Sequence, residues 1–433
     1  MTVDALSTAA APGPAPQRAP RPLPTALSAL YASRLIVWGA AMIALALAPP
    51  AAAIVASFDP AGVTHPFHSA VLNRLIAPAA RFDTTWYVSI AQHGYTGYEH
   101  HAFFPLYPLA IHVLDWVVGQ PLIAGLLISM VCFGASLVLL QRLVLLDFPD
   151  GRVAQLSTWL LALFPMSLYF SAVYTESIFT LLSIWAIYAA RRERWLLASV
   201  LGALAAAARS DGFVLIVPLL WIYLWGPRPG APAPDIDWRT PLGLVRRARP
   251  NIFLFGLVPL GLIAYLVYCA ASGWSFTEPF YAASHYWGRG FAGPFSEIVI
   301  AVRHFFAHDL AAVITNTHVR VFYVGDPLNW TWSNVIDVLW LVPLTAALVA
   351  TWRTLPKVYV VYALLIVVAS ASTPSPLEPM MSFARYVMPA FPLFVGAAAV
   401  LVDRPWARRL TLGTSAVLLA GFSALWGIWA WVA

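Results

Sequence analysis

The sequence predicts an all-α, polytopic membrane protein: a helical bundle of about eleven transmembrane helices whose large extracytoplasmic loops carry interfacial helices. Three observations lead there. Of the 433 residues, 61% are hydrophobic and 10% are charged, where soluble domains carry about 25% charged residues. Apolar runs long enough to span a bilayer core recur from residue 28 to the C-terminus,. Those runs are continuous and do not alternate polar with apolar every second residue, which excludes a transmembrane β-barrel.

Residues 1–26, which include APGPAPQRAPRPLP, are rich in Ala, Pro and Arg and have no apolar core. That composition predicts a disordered cytoplasmic tail in place of a cleavable signal, so the first span, 28–57, is a retained helix. Basic residues then cluster at Arg142–Arg152, Arg191–Arg194, Arg228–Arg249, Arg353–Lys357 and Arg404–Arg409. If each cluster is cytoplasmic, the spans between them come in pairs. The spans expected are 28–57, 121–146, 153–172, 177–190, 195–208, 213–226, 251–271, 330–351, 358–372, 386–403 and 410–432. The stretch 195–225 as one straight helix would be about 46 Å long, against a bilayer core of about 30 Å. ARSDG at 208–212 is therefore expected to be a hairpin turn. Residues 27–433 form one transmembrane domain on this reading, with a Pro-rich cytoplasmic linker at 226–250 and two large extracytoplasmic loops at 58–120 and 272–329. The segment 102–119, apolar but short and interrupted by Pro105 and Pro108, is expected to lie in the interface or to re-enter it,.

The net charge of +6 does not point to nucleic acid, because the basic residues sit in short clusters between apolar runs, where they set membrane orientation,. Cys132 and Cys269 both fall inside apolar segments, so neither a disulfide framework nor a zinc site is indicated,. The charges that orientation does not explain are Asp83, Glu99, Glu176, Arg209, Asp211, Glu278, Arg289 and Arg385. In the expected topology all of them lie near one membrane face. Charged groups at the rim of a bundle are costly unless solvated or paired, so their shared side predicts a water-filled site there.

The residues that carry this site resemble a known family. RFDTTWYVSIAQHGY at 81–95 followed by HAFFPLYPL is similar to the first luminal loop of the PIG-V family of GPI mannosyltransferases. FPMSLYFSAVYTESIFTLLS at 164–183, RSDG at 209–212, PFYAASHYWGR at 279–289 and FARYVMPAFPLF at 383–394 resemble later segments of the family, in the same order. The sequence departs at Phe82, where the family usually has Trp, and at Asp211, where Asn is common. The family belongs to the GT-C superfamily. The resemblance implies a multispan hexosyltransferase, with mannose as the sugar, a site on the extracytoplasmic face, a polyprenyl-phosphate sugar as donor and a glycan or glycolipid as acceptor. Lys357 is the one lysine of an arginine-rich chain, a composition typical of a GC-rich bacterium, in which case the protein sits in the cell membrane with a cytoplasmic N-terminus. GPI anchors are not expected there, so acceptor identity does not carry over.

Transfer from a lipid-phosphate sugar needs a base for the attacking hydroxyl but no strong acid, since phosphate leaves readily. The resemblance gives the base to Asp83, which could alternatively be a structural partner of Arg81 or Arg74. Arg385 suits the donor phosphate because a guanidinium fork matches phosphate oxygens; the alternative is an interfacial arginine reaching lipid headgroups. Arg209, Arg289 and Arg81 are further donor-site candidates, although Arg209 could simply pair with Asp211. Glu176, in YTES, could bind acceptor hydroxyls or cap the helix that follows. Tyr87, His93, His101 and Trp287 complete the candidate sugar pocket, the aromatic residues as stacking faces or as interfacial belt residues. His93, His100 and His101 lack the spacing of a helical zinc site, so the sequence does not support a metal and leaves metal dependence open, and no cofactor besides the lipid-linked donor is expected. A transporter or flippase of lipid-linked sugars is the competing class, and another donor sugar, arabinose or glucose, the competing specificity. Transporters tend to show internal repeats and mid-membrane charges, neither of which is visible here.

Overall fold

The computed structural model describes residues 22–226, 248–306, 338–375 and 379–432. Most of the expected tail, most of the linker and the C-terminal part of the expected second loop lie outside these residues. Within them the chain is helical, with no strand among the described residues. Among the described residues three helices are long and apolar enough to cross a bilayer unaided: α1 (Pro22–Leu47), Pro121–Val144 and Pro405–Gly427. Two bent pairs, Arg152–Leu163 with Pro165–Ser171 at 80° and Pro250–Leu257 with Leu260–Ala271 at 46°, raise the number to five. Of the other expected spans, 195–208, 213–226, 358–372 and 386–403 fall on shorter apolar helices, 177–190 falls on the helix Glu176–Arg191, and 330–351 lies partly outside the described residues, so the architecture is a multi-pass helical bundle built largely from short and broken helices.

The N-terminal elements differ from expectation. Helix α1 begins at Pro22, inside the expected tail, and stops at Leu47 before Pro49 and Pro50. A separate helix, α2 (Ala52–Phe58), follows, so 28–57 is two elements. Two prolines in succession remove two amide donors and force extended backbone ahead of them, which ends the span. In the first loop come α3 (Ala70–Ile76), α4 (Thr84–His93) and α5 (Leu106–Val118). Pro105 and Pro108 do not break α5: Pro105 is its N-cap and Pro108 lies in the first turn, where the amides have no helical partner,. Helix α5 buries Tyr107, Pro108 and Ile111 and leaves Leu109, Val113, Trp116 and Val117 exposed, a two-sided apolar surface suited to a lipid interface,.

Helix α6 (Pro121–Val144) leads to α7 (Arg152–Leu163), which breaks at Pro165 into a short 3₁₀ segment ending at Ser171. Arg34, buried mid-way along α1, stabilises that break. Its Nη1 donates to Ser167 O and Ser171 Oγ, both at 2.7 Å, and its Nη2 to Ser167 Oγ at 2.9 Å. A charge so placed inside a bundle is stable only when its donors are matched in this way. Next come α8 (Glu176–Arg191) and α9 (Trp195–Ala208), then the expected turn, and α10 (Ile216–Trp225). The hairpin is tight because Gly212 lies against α9: a Cβ there would sit 2.3 Å from Ala205 O.

Helix α11 (Leu260–Ala271) precedes the second loop, whose described part holds α12 (Glu278–His285) and α13 (Ser296–Phe306). The chain then forms α14 (Leu341–Thr354), α15 (Lys357–Ser370), α16 (Phe383–Val387), α17 (Pro392–Leu401) and α18 (Pro405–Gly427). Helix α18 packs along α1, which joins the two ends of the chain, and α14 packs on α17. The two large loops meet at one end of the bundle, where α12 contacts the 3₁₀ turn Tyr98–Ala102.

Candidate active site

Between the two loops lies a cavity of about 940 Å³. Its walls come from the Asp83 turn, the start of α8, the 208–217 hairpin, the second loop, the end of α15 and the 381–386 segment.

The polar wall begins at Asp83. Phe82, just before it, takes φ +48°, a left-handed conformation that a bulky residue adopts only under strong packing,. The packing is aromatic: the Phe82 ring lies 4.9–5.3 Å from the ring centroids of Phe58, Trp426, Trp429 and Trp431. Tyr174 fixes the same turn, accepting from the Asp83 amide at 3.0 Å and donating to Arg81 O at 3.2 Å. Anchored on both sides, Asp83 turns its carboxylate into the cavity.

Opposite it stands Arg385 on α16, a short helix that starts after Ser382, another positive-φ residue at +66°. Arg385 Nη1 donates to Asp83 Oδ2 at 3.0 Å and Nη2 to Tyr386 Oη at 2.8 Å. Its Nε lies 3.4 Å from Glu176 Oε1, close enough for an ion pair but not aligned as a hydrogen bond. The alternatives left open for Asp83, pairing with Arg81 or Arg74, are thus replaced by a bridge to a residue 302 positions away.

Glu176 is the first residue of α8, and its carboxylate is buried at 2% exposure. It joins two cations: Oε1 is also 3.6 Å from Arg209 Nη1. Arg209 in turn holds Asp211, from Nε at 3.1 Å and from Nη2 at 3.4 Å. The local pairing expected for RSDG is real, and it coexists with a place in the wall of the cavity. Arg289 reaches the same wall from the second loop, donating to Met381 O and lying 3.7 Å from Glu297 Oε1. Glu297 is the first acidic residue of α13 and is fully buried; burial pushes its carboxyl up to about 8, against the opposing pull of Arg289.

Of the sequence candidates, Asp83, Arg385, Arg209, Arg289, Glu176, Tyr87 and Trp287 line the cavity. Trp287 closes one side beside Phe103, 5.9 Å between ring centroids, and its buried indole N–H has no hydrogen-bond acceptor.

Arg81, His93 and His101 do not line the cavity. Arg81 turns away and donates from Nε and Nη2 to Gly427 O, at 3.1 and 2.6 Å, which caps the end of α18. Its guanidinium also lies 4.8 Å from the Trp429 ring, so the side chain is committed to structure. His101 is buried between Tyr95 and Trp274, with its Nδ1 3.0 Å from Gly97 O, and burial lowers its basicity. His93 ends α4 on the exposed side. Among the described residues no three His, Cys, Asp or Glu side chains cluster as metal ligands.

Two participants were not among the sequence candidates. Tyr386 follows Arg385 in FARYV and lines the cavity; the adjacent arginine was the available signal. Glu297 had none, since its burial depends on the second loop folding back so that its amide donates to Ala371 O at 3.0 Å.

The chain is similar to the GPI alpha-1,6-mannosyltransferase 2 of Rattus norvegicus, 33% identical over 165 residues, covering 35% of this chain and 32% of that protein. The protein of the same name from Mus musculus is 33% identical over 161 residues, covering 34% and 32%. The chain thus spans about a third of the length of the curated relatives it matches. Among solved structures, the oligosaccharyltransferase of Archaeoglobus fulgidus tethered with an acceptor peptide aligns over 94% of this chain and 55% of that one, at 11% identity and TM-score 0.42. Its complex with an inhibitory peptide and a dolichol-phosphate aligns over 92% and 56%, at 12% identity and TM-score 0.43. The family model described as Mannosyltransferase (PIG-V) matches residues 23–223, the stretch that supplies Asp83, Glu176 and Arg209 to the cavity.

Proposed function

We propose that this protein is a multi-pass membrane glycosyltransferase that moves a hexose, mannose, from a polyprenyl-phosphate carrier to a glycan or glycolipid on the extracytoplasmic side of a bacterial cell membrane. The observation that carries the reading is the 3.0 Å bridge between Asp83 and Arg385 on the wall of a cavity of about 940 Å³. It puts a carboxylate and a guanidinium at one point, where a sugar C1 and its phosphate could both be reached.

In the reaction proposed, Asp83 takes the proton of the acceptor hydroxyl as its oxygen attacks C1. The bond from C1 to the phosphate oxygen breaks, and its electron pair stays on the phosphate. Arg385 exchanges Asp83 for that phosphate, which frees the carboxylate for its role as base. Arg209 and Arg289 add charge on the same side. Glu176 holds Arg385 and Arg209 together and is available to acceptor hydroxyls, as are Tyr87 and Trp287. Phe213 and Val217 from the hairpin, with Phe280 and Phe291 from the second loop, line the apolar part of the cavity and suit the first isoprene units of a carrier,. In this reading residues 27–433 are one catalytic unit, the N-terminus is cytoplasmic, and the loops 58–120 and 272–329 face outward with the cavity between them.

The test is transfer of labelled mannose from polyprenyl-phosphate-mannose to membrane glycans by the purified protein and by Asp83→Asn. The variant should lose about 10²- to 10⁴-fold in rate while still binding donor. Transfer unchanged in the variant would remove Asp83 from the chemistry. Turnover with glucose or arabinose donors but not with mannose would change the sugar and keep the reaction.

A further inference from the structure

Three guanidinium groups converge on one side chain. The ring centroid of Tyr386 lies 4.7 Å from Cζ of Arg385, 4.9 Å from that of Arg209 and 5.1 Å from that of Arg289. Its hydroxyl also accepts from Arg385 at 2.8 Å. The carboxylates divide these arginines: Asp211 serves Arg209, Glu297 faces Arg289, Asp83 serves Arg385, and Glu176 bridges two of them. Tyr386 touches all three. Like charges at such separations repel strongly in a low dielectric, and an aromatic face offsets that repulsion by offering the negative side of its quadrupole to each cation. Together with those four carboxylates, the ring lets the three arginines share one wall.

The wall is also under-coordinated. Arg385 Nε and Glu176 Oε2 are buried, yet neither has a hydrogen-bond partner. Buried polar atoms of charged groups whose hydrogen-bonding capacity is unused beside a cavity point to a ligand that takes it up.

Building on the transfer reaction above, we infer that Tyr386 is a positioning residue that gathers Arg209, Arg289 and Arg385 into a cationic wall matched to a phosphate carrying two negative charges. A sugar-linked lipid phosphate is a diester with one charge. When the C1–oxygen bond breaks and the electron pair passes to phosphate, the product is a monoester that carries close to two charges at neutral pH. A wall of three cations is matched to the charge that develops, so it holds the leaving carrier more tightly than the donor, and that difference lowers the barrier.

The probes are undecaprenyl phosphate and its methyl ester, with Kd measured for the purified full-length protein at pH 8 and pH 5. Wild type should prefer the monoester by about tenfold at pH 8, and the preference should shrink at pH 5, where the monoester loses charge. The diester, measured at the same pH, corrects for titration of the facing groups Asp83, Glu176, Asp211 and Glu297. Tyr386→Phe, which keeps the ring, should retain most of the preference, and Tyr386→Leu should reduce it to about threefold or less. In turnover, Tyr386→Leu should lower kcat with little change in the KM for donor. Should Tyr386→Leu fail to fold, Arg289→Gln removes one gathered cation and should also cut the preference. Equal affinity of wild type for the two lipids would overturn this inference alone, as would an undiminished preference in Tyr386→Leu or in Arg289→Gln. Binding of neither lipid would overturn the lipid-phosphate donor as well.

Discussion

Arg385 is held by three different groups at once, and this sets what can replace it. Its fork spans Asp83, Tyr386 and Glu176 with nitrogens in fixed relative positions. A lysine ammonium has the charge but one centre, so it can meet one of these groups at full strength. Arg385→Lys should lower kcat/KM for transfer by at least about tenfold, equivalent to about 1.4 kcal/mol, with melting temperature close to wild type. Transfer within a factor of two of wild type would show that charge alone matters at this position. The sequence made Asp83 and Arg385 legible as separate candidates, because a charge that orientation does not explain stands out in a greasy chain. It could not show that they touch, since 302 residues separate them. Arg81 was misleading for the same reason: its charge is as conspicuous in sequence, but the carbonyl it binds belongs to Gly427 at the other end of the chain.

At the scale of helices, the bundle depends on close approach at small residues, as expected where lipid offers no hydrophobic drive for association. Gly396 on α17 is the sharpest case. A Cβ there would fall 2.3 Å from Thr351 Oγ1 and 2.6 Å from Thr351 Cα on α14, and that backbone atom cannot swing aside. The Thr351 hydroxyl is itself committed, donating to Ala347 O at 2.7 Å and lying 3.1 Å from Pro392 O. Gly396→Ala should force the two helices apart and cost about 1–3 kcal/mol, seen as a lowered melting temperature in detergent. An unchanged melting temperature would mean that the pair separates freely. Apolar runs and basic clusters made the segments legible, and the helices follow the expected spans closely at 121–144, 195–208 and 357–370. What periodicity could not give was where segments break: Pro49–Pro50 ends α1 early, whereas Pro105 and Pro108 begin α5. A proline reads alike in sequence whether it stops a helix or opens one, and only the partners of the neighbouring carbonyls separate the two.

For the molecule as a whole, the site exists because the second loop closes over the first, and Glu297 is where that closure meets a titration. The carboxyl is buried at the start of α13, where the chain docks through Glu297 N to Ala371 O and Ala292 N to Ser372 O, both at 3.0 Å. Arg289, on the same loop, stands 3.7 Å from it through Nη1 and donates from Nη2 to Met381 O at the cavity wall. Burial raises the folded-state pKa of this carboxyl from 4.5 to about 8. Between those values the folded chain holds a proton that the unfolded chain has released, so the contribution of Glu297 to stability is fullest below about pH 4.5 and declines as pH rises towards 8. The slope has a ceiling of about 1.4 kcal/mol per pH unit, the value for one proton. Glu297→Gln keeps the shape without the titration, and its melting temperature relative to wild type should therefore rise steadily from pH 5 to pH 8. The measurement is thermal unfolding of both proteins in detergent at pH 5, 6.5 and 8. A constant difference across the three would show that the carboxyl is solvated in the folded chain and that the second loop does not close over it. A growing difference would tie loop docking to the protonation of one residue, a coupling that composition and hydropathy could not reveal because it depends on what covers the side chain.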